Sequence, residues 1–125
     1  MTREFTTYNQ ALALKELGYN EPCLAWYVSK DYGLEIGKVI QTDLIKDAIV
    51  APTFHQAFRF FSEKHNLHGC VDLHVSNPTH WYIRIDNIVE NDYLYHSEDE
   101  NLKFKTYEEA ELACLKKLIE ICKNK

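Results

Sequence analysis

The residues best suited to chemistry are concentrated in one stretch, EKHNLHGCVDLHVSNPTHWY, residues 63–82. It holds four of the six histidines and one of the four cysteines. Imidazole and thiolate groups bind zinc and can act as bases or nucleophiles. A metal site and a Cys–His catalytic pair are therefore the two chemistries to weigh. The candidate metal ligands are His74, His80, Asp72 and Cys70.

The spacing of these residues favours neither chemistry. A structural zinc site needs four ligands that converge on the ion, and H-x2-H-x-C-x3-H-x5-H matches no zinc signature. Cys70 and His74 would lie about 13 Å apart along one strand. A smaller site formed by His74, His80 and Asp72 across a hairpin stays sterically possible. Cys70 beside His68 or His74 lacks an oxyanion-hole loop, so the sequence favours a protein without catalytic residues and without a cofactor.

Two hydrophobic periods divide this stretch between a helix and a β-hairpin. PTFHQAFRFFSEKHN, residues 52–66, carries apolar residues at helical spacing and predicts an amphipathic helix that ends near His65. His68-Gly69 is then predicted as a turn. The alternation of CVDLHV and HWYIRIDNI beyond it predicts two antiparallel strands, each with one buried and one solvent-facing side.

The alternation also predicts a register for the hairpin. If Asn77-Pro78-Thr79 forms the turn, Asp72 pairs with Arg84 and His74 pairs with Tyr82 on the solvent side. A slip by one residue would invert every side chain, so the side to which each residue points is well specified.

The remaining elements follow from shorter signals. Thr7 with Gln10 predicts a capped first helix over Tyr8–Leu17, and Thr106 with Glu109 predicts the same kind of start for the last helix. Further strands are predicted over Cys23–Ser29, Leu34–Gln41 and Asp92–His96. The segment LKFK is expected to pair back on the last of these strands. The placement of residues 42–51 stays open.

These elements predict one α+β domain over residues 1–125, with an antiparallel sheet that carries helices mainly on one face. It consists of an α-β-β lead segment, residues 1–51, packed with a unit ordered α-β-β-β-α, residues 52–125. The predicted buried residues are Leu14, Leu17, Leu24, Trp26, Phe54, Phe58, Phe61, Val71, Leu73, Trp81, Ile83, Ile85, Leu115 and Leu118.

Composition and charge restrict the classes of partner. A hydrophobic fraction of 46% is typical of a globular chain and not of a disordered one. The net charge of −5 argues against a general affinity for nucleic acid or anionic lipid. Cys114 and Cys122 would lie about 12 Å apart along one helix, too far for a disulfide. Free thiols, and a start without a long apolar run, predict a soluble cytoplasmic protein with no membrane contact.

The order of elements from Pro52 onwards resembles that of double-stranded-RNA-binding domains. The resemblance covers about the last 70 residues and includes a helix that ends in EKH. It implies an alternative function as a nucleic-acid-binding domain. However, those domains open their last helix with lysines that contact phosphates, and here the segment is TYEEAEL. Glu108, Glu109 and Glu111 would repel a phosphate backbone, which argues against that function.

Three segments, APTFHQAFRFFSEKHNL, HWYIRI and TYEEAELACLKKLIEI, resemble small uncharacterised bacteriophage and prophage proteins, chiefly of Bacteroidota. The resemblance implies an accessory protein in a bacterial cytoplasm. Because the last helix is apolar over more than one stripe, we expect a non-catalytic module that binds a protein partner or self-associates. The alternative is a small metal-binding protein or enzyme that uses the histidine-rich hairpin. The candidate interaction surface comprises Phe60, Leu112, Ile119, Tyr82 and Arg84.

Overall fold

The structure is a computed structural model that describes residues 4–28, 33–40, 49–73, 80–90 and 92–124. Over these residues the chain is an α+β protein with three α-helices and two three-stranded antiparallel sheets. The predicted α+β class is confirmed, and the strands form two sheets where the sequence analysis expects one. Residue contacts divide the chain into two compact units, Met1–Ala57 and Phe58–Lys125. That the whole chain is a single domain stays a prediction.

The predicted order of the C-terminal elements, α-β-β-β-α, is confirmed, with a short 3₁₀ helix before the last α-helix. In chain order the elements are α1 (Tyr8–Glu16), β1 (Cys23–Tyr27), β2 (Leu34–Ile40), β3 (Ile49–Val50), α2 (Phe54–His65), β4 (Leu67–Leu73), β5 (Trp81–Asn87), β6 (Asp92–His96), the 3₁₀ helix (Ser97–Glu100) and α3 (Tyr107–Lys123).

Helix α1 begins as its sequence predicts and ends at Glu16, one residue before the predicted Leu17. The Thr7 hydroxyl accepts a hydrogen bond from the Gln10 backbone N–H at 3.3 Å, and the Gln10 side chain accepts one from the Thr7 N–H at 3.1 Å. This reciprocal pair satisfies two N–H groups that the first turn of a helix leaves without partners. Leu17 is the C-cap, and Gly18 follows it with φ of +100°, a conformation that only glycine adopts easily.

The first sheet has the strand order β2-β1-β3. The small residues Cys23 and Ala25 take the buried side of β1, whereas Leu24 is 51% exposed. The prediction that Leu24 is buried is therefore wrong, because the sequence CLAWY is apolar on both sides and does not reveal which side packs. Strand β3 lies in the stretch that the sequence left open, and Val50 pairs with Trp26. Residues 42–48 of that stretch lie outside the described residues.

Helix α2 has sharp ends. Thr53 and Gln56 form a second reciprocal cap, with N···O distances of 3.1 and 2.9 Å. At the other end Asn66 adopts a left-handed conformation with φ of 57°, and β4 begins at the next residue. His65 is half-buried with its ring centroid 5.2 Å from that of Phe60. The prediction that the helix ends near His65 is confirmed.

The second sheet has the order β4-β5-β6, and its register differs from the predicted one by two residues. Asp72 pairs with Tyr82 and Cys70 pairs with Arg84, so the predicted Asp72–Arg84 pair is wrong. A shift of two residues preserves the side to which each residue points, and only the partners change. The predicted turn at residues 77–79 and the predicted position of His74 lie outside the described residues.

Helix α3 packs on one side of this sheet, against β4 and β5. Leu67, Gly69, Ile83 and Ile85 lie on that side and are buried. Gly69 is in the middle of β4, so the prediction that His68-Gly69 forms a turn is wrong. The absence of a side chain at Gly69 lets α3 approach closely, since a Cβ there would lie 2.9 Å from Cys114 Sγ.

Hydrogen bonds and burial test the other predictions for this unit. Thr106 accepts the Glu109 N–H at 3.1 Å and caps α3 as predicted. Phe104 of the LKFK segment pairs with Trp81 of β5, not with β6. Leu73, the last residue of β4, is 42% exposed, so its predicted burial is wrong.

Half of the fourteen predicted core residues are confirmed as buried. Leu14, Phe54, Phe61, Ile83, Ile85, Leu115 and Leu118 are buried, whereas Leu17, Trp26, Phe58, Val71 and Trp81 are half-buried.

Candidate binding surface

The side of the second sheet opposite α3 carries a continuous set of polar side chains, which we call the outer face. Its residues are His68, Cys70 and Asp72 on β4, Tyr82, Arg84 and Asp86 on β5, and His96 on β6. They alternate with the buried residues of the same strands, as expected for an antiparallel sheet with one side in water. Arg84 is central, since it pairs with Cys70 on one neighbouring strand and with His96 on the other.

Arg84 is held in place by the carboxylate two residues along its own strand. Its Nε donates a hydrogen bond to Asp86 Oδ1 at 2.8 Å. That hydrogen bond raises the pKa of Arg84 above its usual value. The pair is exposed, so it adds little to stability, but it fixes the direction of the guanidinium group.

Tyr82 and His96 stack across β5 and β6. Their ring centroids are 4.8 Å apart and the ring planes differ by 21°. His96 Nδ1 accepts the Glu98 backbone N–H at 3.2 Å, so the imidazole also caps the 3₁₀ helix. Desolvation, followed by the carboxylates of Asp72 and Glu98, raises the pKa of the Tyr82 phenol. The phenol therefore stays protonated at neutral pH.

Two shallow depressions lie on the outer face, and Arg84 lines both of them. The first has a volume of about 270 Å³ and is lined by His68, Arg84, Asp86, Asn87, Ile88 and Asp92. The second has a volume of about 240 Å³ and is lined by Arg84, His96, Glu98 and Asp99. Together the described lining residues contribute four carboxylates and one guanidinium group.

An apolar turn borders the first depression. Ile88 and Val89 follow β5 and are 49% and 73% exposed. The turn has a defined conformation, because the Ile88 N–H donates to the Asn66 carbonyl at 2.9 Å and the Glu90 N–H donates to Asn87 Oδ1 at 3.0 Å. Two branched apolar side chains are thus presented to solvent on a turn that two hydrogen bonds hold.

Of the predicted metal ligands, the structure describes Cys70, Asp72 and His80, and these three do not form a metal site. Cys70 and Asp72 share the outer face, with Sγ and Oδ2 3.8 Å apart. His80 comes just before β5, and His74 lies outside the described residues. Among the residues that the structure describes, no group of three or more His, Cys, Asp or Glu side chains is arranged to hold a metal ion.

A metal that binds only the native state raises the melting temperature. Because the described residues form no metal site, we expect zinc and chelators to leave the melting temperature unchanged. Thermal unfolding in buffer, with excess zinc and with a chelator measures this directly. A zinc-dependent rise that His80→Ala and Asp72→Asn abolish would contradict the expectation and restore the metal site.

All four cysteines are free thiols, as the sequence predicts. Burial raises the pKa of Cys114 to about 12 and also raises the pKa of Cys23. The half-buried Cys70 has a raised pKa because of desolvation and then the Asp72 carboxylate, while Arg84 acts in the opposite direction. Since the thiolate is the nucleophile, none of these three thiols is activated for covalent catalysis.

We expect alkylation of the folded protein at neutral pH to modify Cys70 first, and more slowly than a free cysteine. Asp72→Asn removes a group that raises the Cys70 pKa and should accelerate the reaction, whereas Arg84→Gln should slow it. Mass spectrometry of samples quenched over time gives both rates. Equal modification of Cys114 and Cys70 would contradict the expectation, because Cys114 is fully buried.

The predicted interaction residues fall into two groups. Phe60 and Ile119 are only 4% and 7% exposed, so they offer little area to a partner. Leu112 is 39% exposed on α3, while Tyr82 and Arg84 belong to the outer face. Sequence reasoning did not select Asp86, His96, Ile88 and Val89. Strand alternation could have found Asp86, but the other three depend on the register of β6 and on the turn.

Comparison with known proteins adds no constraint to this surface. No protein-family model, curated protein or solved structure matches the chain. Among the described residues, no helix is long and apolar enough to span a membrane.

Proposed function

We propose that this protein is a non-catalytic accessory module that binds another protein through the outer face. The cellular context is the one that the sequence resemblance implies, a phage or prophage product in a bacterial cytoplasm. The observation that carries the proposal is the combination of a fixed polar array and an ordered, exposed apolar turn on the same sheet. Protein interfaces combine these features, with tyrosine and arginine as frequent anchors.

The turn supplies the apolar contribution to binding. Ile88 and Val89 are exposed in a turn whose Ile88 and Glu90 N–H groups donate to Asn66 and Asn87. Burial of apolar surface is worth roughly 25 cal/mol per Å², and a turn that already has its bound conformation loses little entropy when a partner covers it.

The outer face supplies the polar contribution. Arg84 is fixed by Asp86, and the ring of Tyr82 is fixed by its stack on His96. Side chains that are already oriented lose less rotamer freedom on binding, which favours a specific complex. The raised pKa of Cys70 argues against a thiolate nucleophile at this face.

Selection from a displayed peptide library on the immobilised protein tests the proposal. We expect enriched peptides whose affinity falls at least about tenfold for the double variant Tyr82→Ala/Arg84→Ala. Lys116→Ala, at an exposed position of α3, is the matched control and should leave the affinity unchanged. Thermal melts of both variants show whether they are folded.

Two results would overturn the proposal. The first is a selection that enriches no peptide above the level of an uncoated surface. The second is a set of peptides that bind the double variant as tightly as the original protein, which would exclude the outer face as the binding surface.

A further inference from the structure

We infer that His96 is a pH-sensitive switch, and that its protonation frees Glu98 and Asp99, which line the second depression, from the cap of the 3₁₀ helix. The contact that carries the inference is the one in which His96 Nδ1 accepts the Glu98 backbone N–H at 3.2 Å. The consequence for a partner rests on the proposed function, because the depression belongs to the surface to which we assign binding. The structural change itself needs no partner.

The cap requires a neutral imidazole. Only the neutral ring has a nitrogen that accepts a hydrogen bond, because both ring nitrogens of the imidazolium form carry a proton and donate. Imidazole is also the side chain whose charge ordinarily changes between about pH 5 and 8. A protonated His96 therefore cannot accept the Glu98 N–H, and two N–H groups would face each other at 3.2 Å. Protonation must open this contact or turn the ring.

The surroundings of the ring offer the proton both support and opposition. Two carboxylates, those of Glu98 and Asp99, line the same depression and favour a positive charge on His96. The Tyr82 ring, stacked on His96 at 4.8 Å, also accommodates a cation on its face. The guanidinium group of Arg84, which pairs with His96 across the strands, opposes the charge. With carboxylates beside it, a protonated Nδ1 can donate where the neutral atom accepts.

The two ends of the 3₁₀ helix are anchored independently of His96. Ser97 Oγ accepts the Ile83 N–H at 3.0 Å, and the Glu100 carboxylate accepts the Tyr95 hydroxyl at 3.0 Å. These contacts hold the first residue of the helix to β5 and the last residue to β6. The loss of the cap therefore acts on the two residues between the anchors, whose carboxylates line the second depression.

A pH titration of the full chain, followed by nuclear magnetic resonance, tests the structural change. We expect the ring signals of His96 and the amide signal of Glu98 to shift together between about pH 8 and 5.5. The protection of the Glu98 amide against hydrogen exchange, taken relative to an unfolded peptide at the same pH, should fall about fivefold, which corresponds to the loss of one net hydrogen bond.

His96→Asn is the decisive variant, because asparagine accepts a hydrogen bond at an N-cap and does not titrate. We expect its Glu98 amide to stay protected over the whole pH range. His68→Asn removes another histidine of the outer face and is the matched control, which should keep the original pH response of Glu98. A response that persists in His96→Asn, or a titration of His96 that leaves the Glu98 amide unchanged, would overturn the inference.

The effect on binding is measured with peptides from the library selection that contain no histidine. Glu98 and Asp99 are held for a partner only while the cap is made, so we expect the affinity to fall about fivefold from pH 7.5 to 5.5. For His96→Asn the fall should be less than about twofold.

The outcomes separate this inference from the proposed function. If peptides bind the outer face and the two proteins show the same dependence on pH, the proposed function stands and the regulation by His96 is wrong. If no peptide binds, the proposed function fails, and the titration of the Glu98 amide alone decides whether His96 is a switch.

Discussion

Replacement of Gly69 by alanine is expected to lower the free energy of unfolding by about 1–3 kcal/mol, and replacement by valine by more. A Cβ at this position would lie 2.9 Å from both Cys114 Sγ and Leu118 Cδ1. Ends of flexible side chains can often move aside, but both of these are fully buried between α3 and the sheet. Helix α3 must therefore shift away from β4, or the strand must bend. Urea unfolding monitored by circular dichroism measures the change.

Gly37 provides a matched control for this substitution. It also lies in a strand, and the nearest atom to a Cβ there is Trp26 Cη2 at 3.7 Å, an ordinary contact distance. We expect Gly37→Ala to be neutral or slightly stabilising, because alanine reduces the entropy of the unfolded chain. A loss of stability equal to that of Gly69→Ala would contradict the close-packing explanation.

A double-mutant cycle locates the clash. Cys114→Ala removes the sulfur atom that a new Cβ at position 69 would meet. The combined variant Gly69→Ala/Cys114→Ala should be more stable than the sum of the two single effects predicts, with a coupling of about 0.5–3 kcal/mol. Additive effects would mean that the two residues do not compete for the same space.

Gly69 also shows why part of the fold could not be predicted from the sequence. Glycine next to a histidine at the end of a helical pattern is typical of a turn, and the local signal contains nothing else. In the structure the same glycine lies inside β4, where its lack of a side chain accommodates α3. Glycine is needed at position 69 because α3, more than 40 positions away in the sequence, packs against it, and local patterns do not encode such a contact.

The register of the hairpin gives a second physical limit. Alternation specified that Cys70 and Asp72 point away from the core, and this is confirmed by their places in β4. It did not specify their partners, because two registers that differ by two residues place every side chain on the same side of the sheet. The predicted three-residue turn selected one register, and the observed strands end at Leu73 and begin again at Trp81.

Elements with strong local signals were predicted correctly. The caps at Thr7 and Thr106 and the strand Asp92–His96 agree with the structure. The division of the strands into two sheets and the exposure of Leu24 were not accessible, since both depend on which elements meet in space. The same limit applies to the outer face, where Tyr82 and Arg84 were selected but His96 was not.

Strand β5 changes its hydrogen-bond partners along its length. Its hydrogen bonds toward β6 continue to the pair Arg84–His96. Beyond that pair the strand has other partners, because the Ser97 hydroxyl accepts the Ile83 N–H at 3.0 Å and the Trp81 N–H donates to the Phe104 carbonyl at 2.8 Å. At Ile83 the Ser97 side chain thus accepts the hydrogen bond that a neighbouring strand would otherwise accept, and it links β5 to the 3₁₀ helix.

Ser97→Ala is therefore expected to lower the free energy of unfolding by about 1–3 kcal/mol, the usual cost of leaving a buried donor without an acceptor. Ser97 is 0% exposed, so water cannot replace the lost hydroxyl unless the segment opens. Urea unfolding gives the loss of stability, and hydrogen exchange should show faster exchange of the Ile83 amide.

Two further variants separate the hydrogen bond from the packing of Ser97. Ser97→Cys keeps a side chain of similar shape with a weaker acceptor, so its effect should approach that of alanine. Ser62→Ala removes a longer contact, 3.4 Å from Oγ to the Leu67 carbonyl at a half-buried site, and should cost less than about 1 kcal/mol. If Ser97→Ala and Ser62→Ala had equal effects, the Ile83 N–H would have found another acceptor.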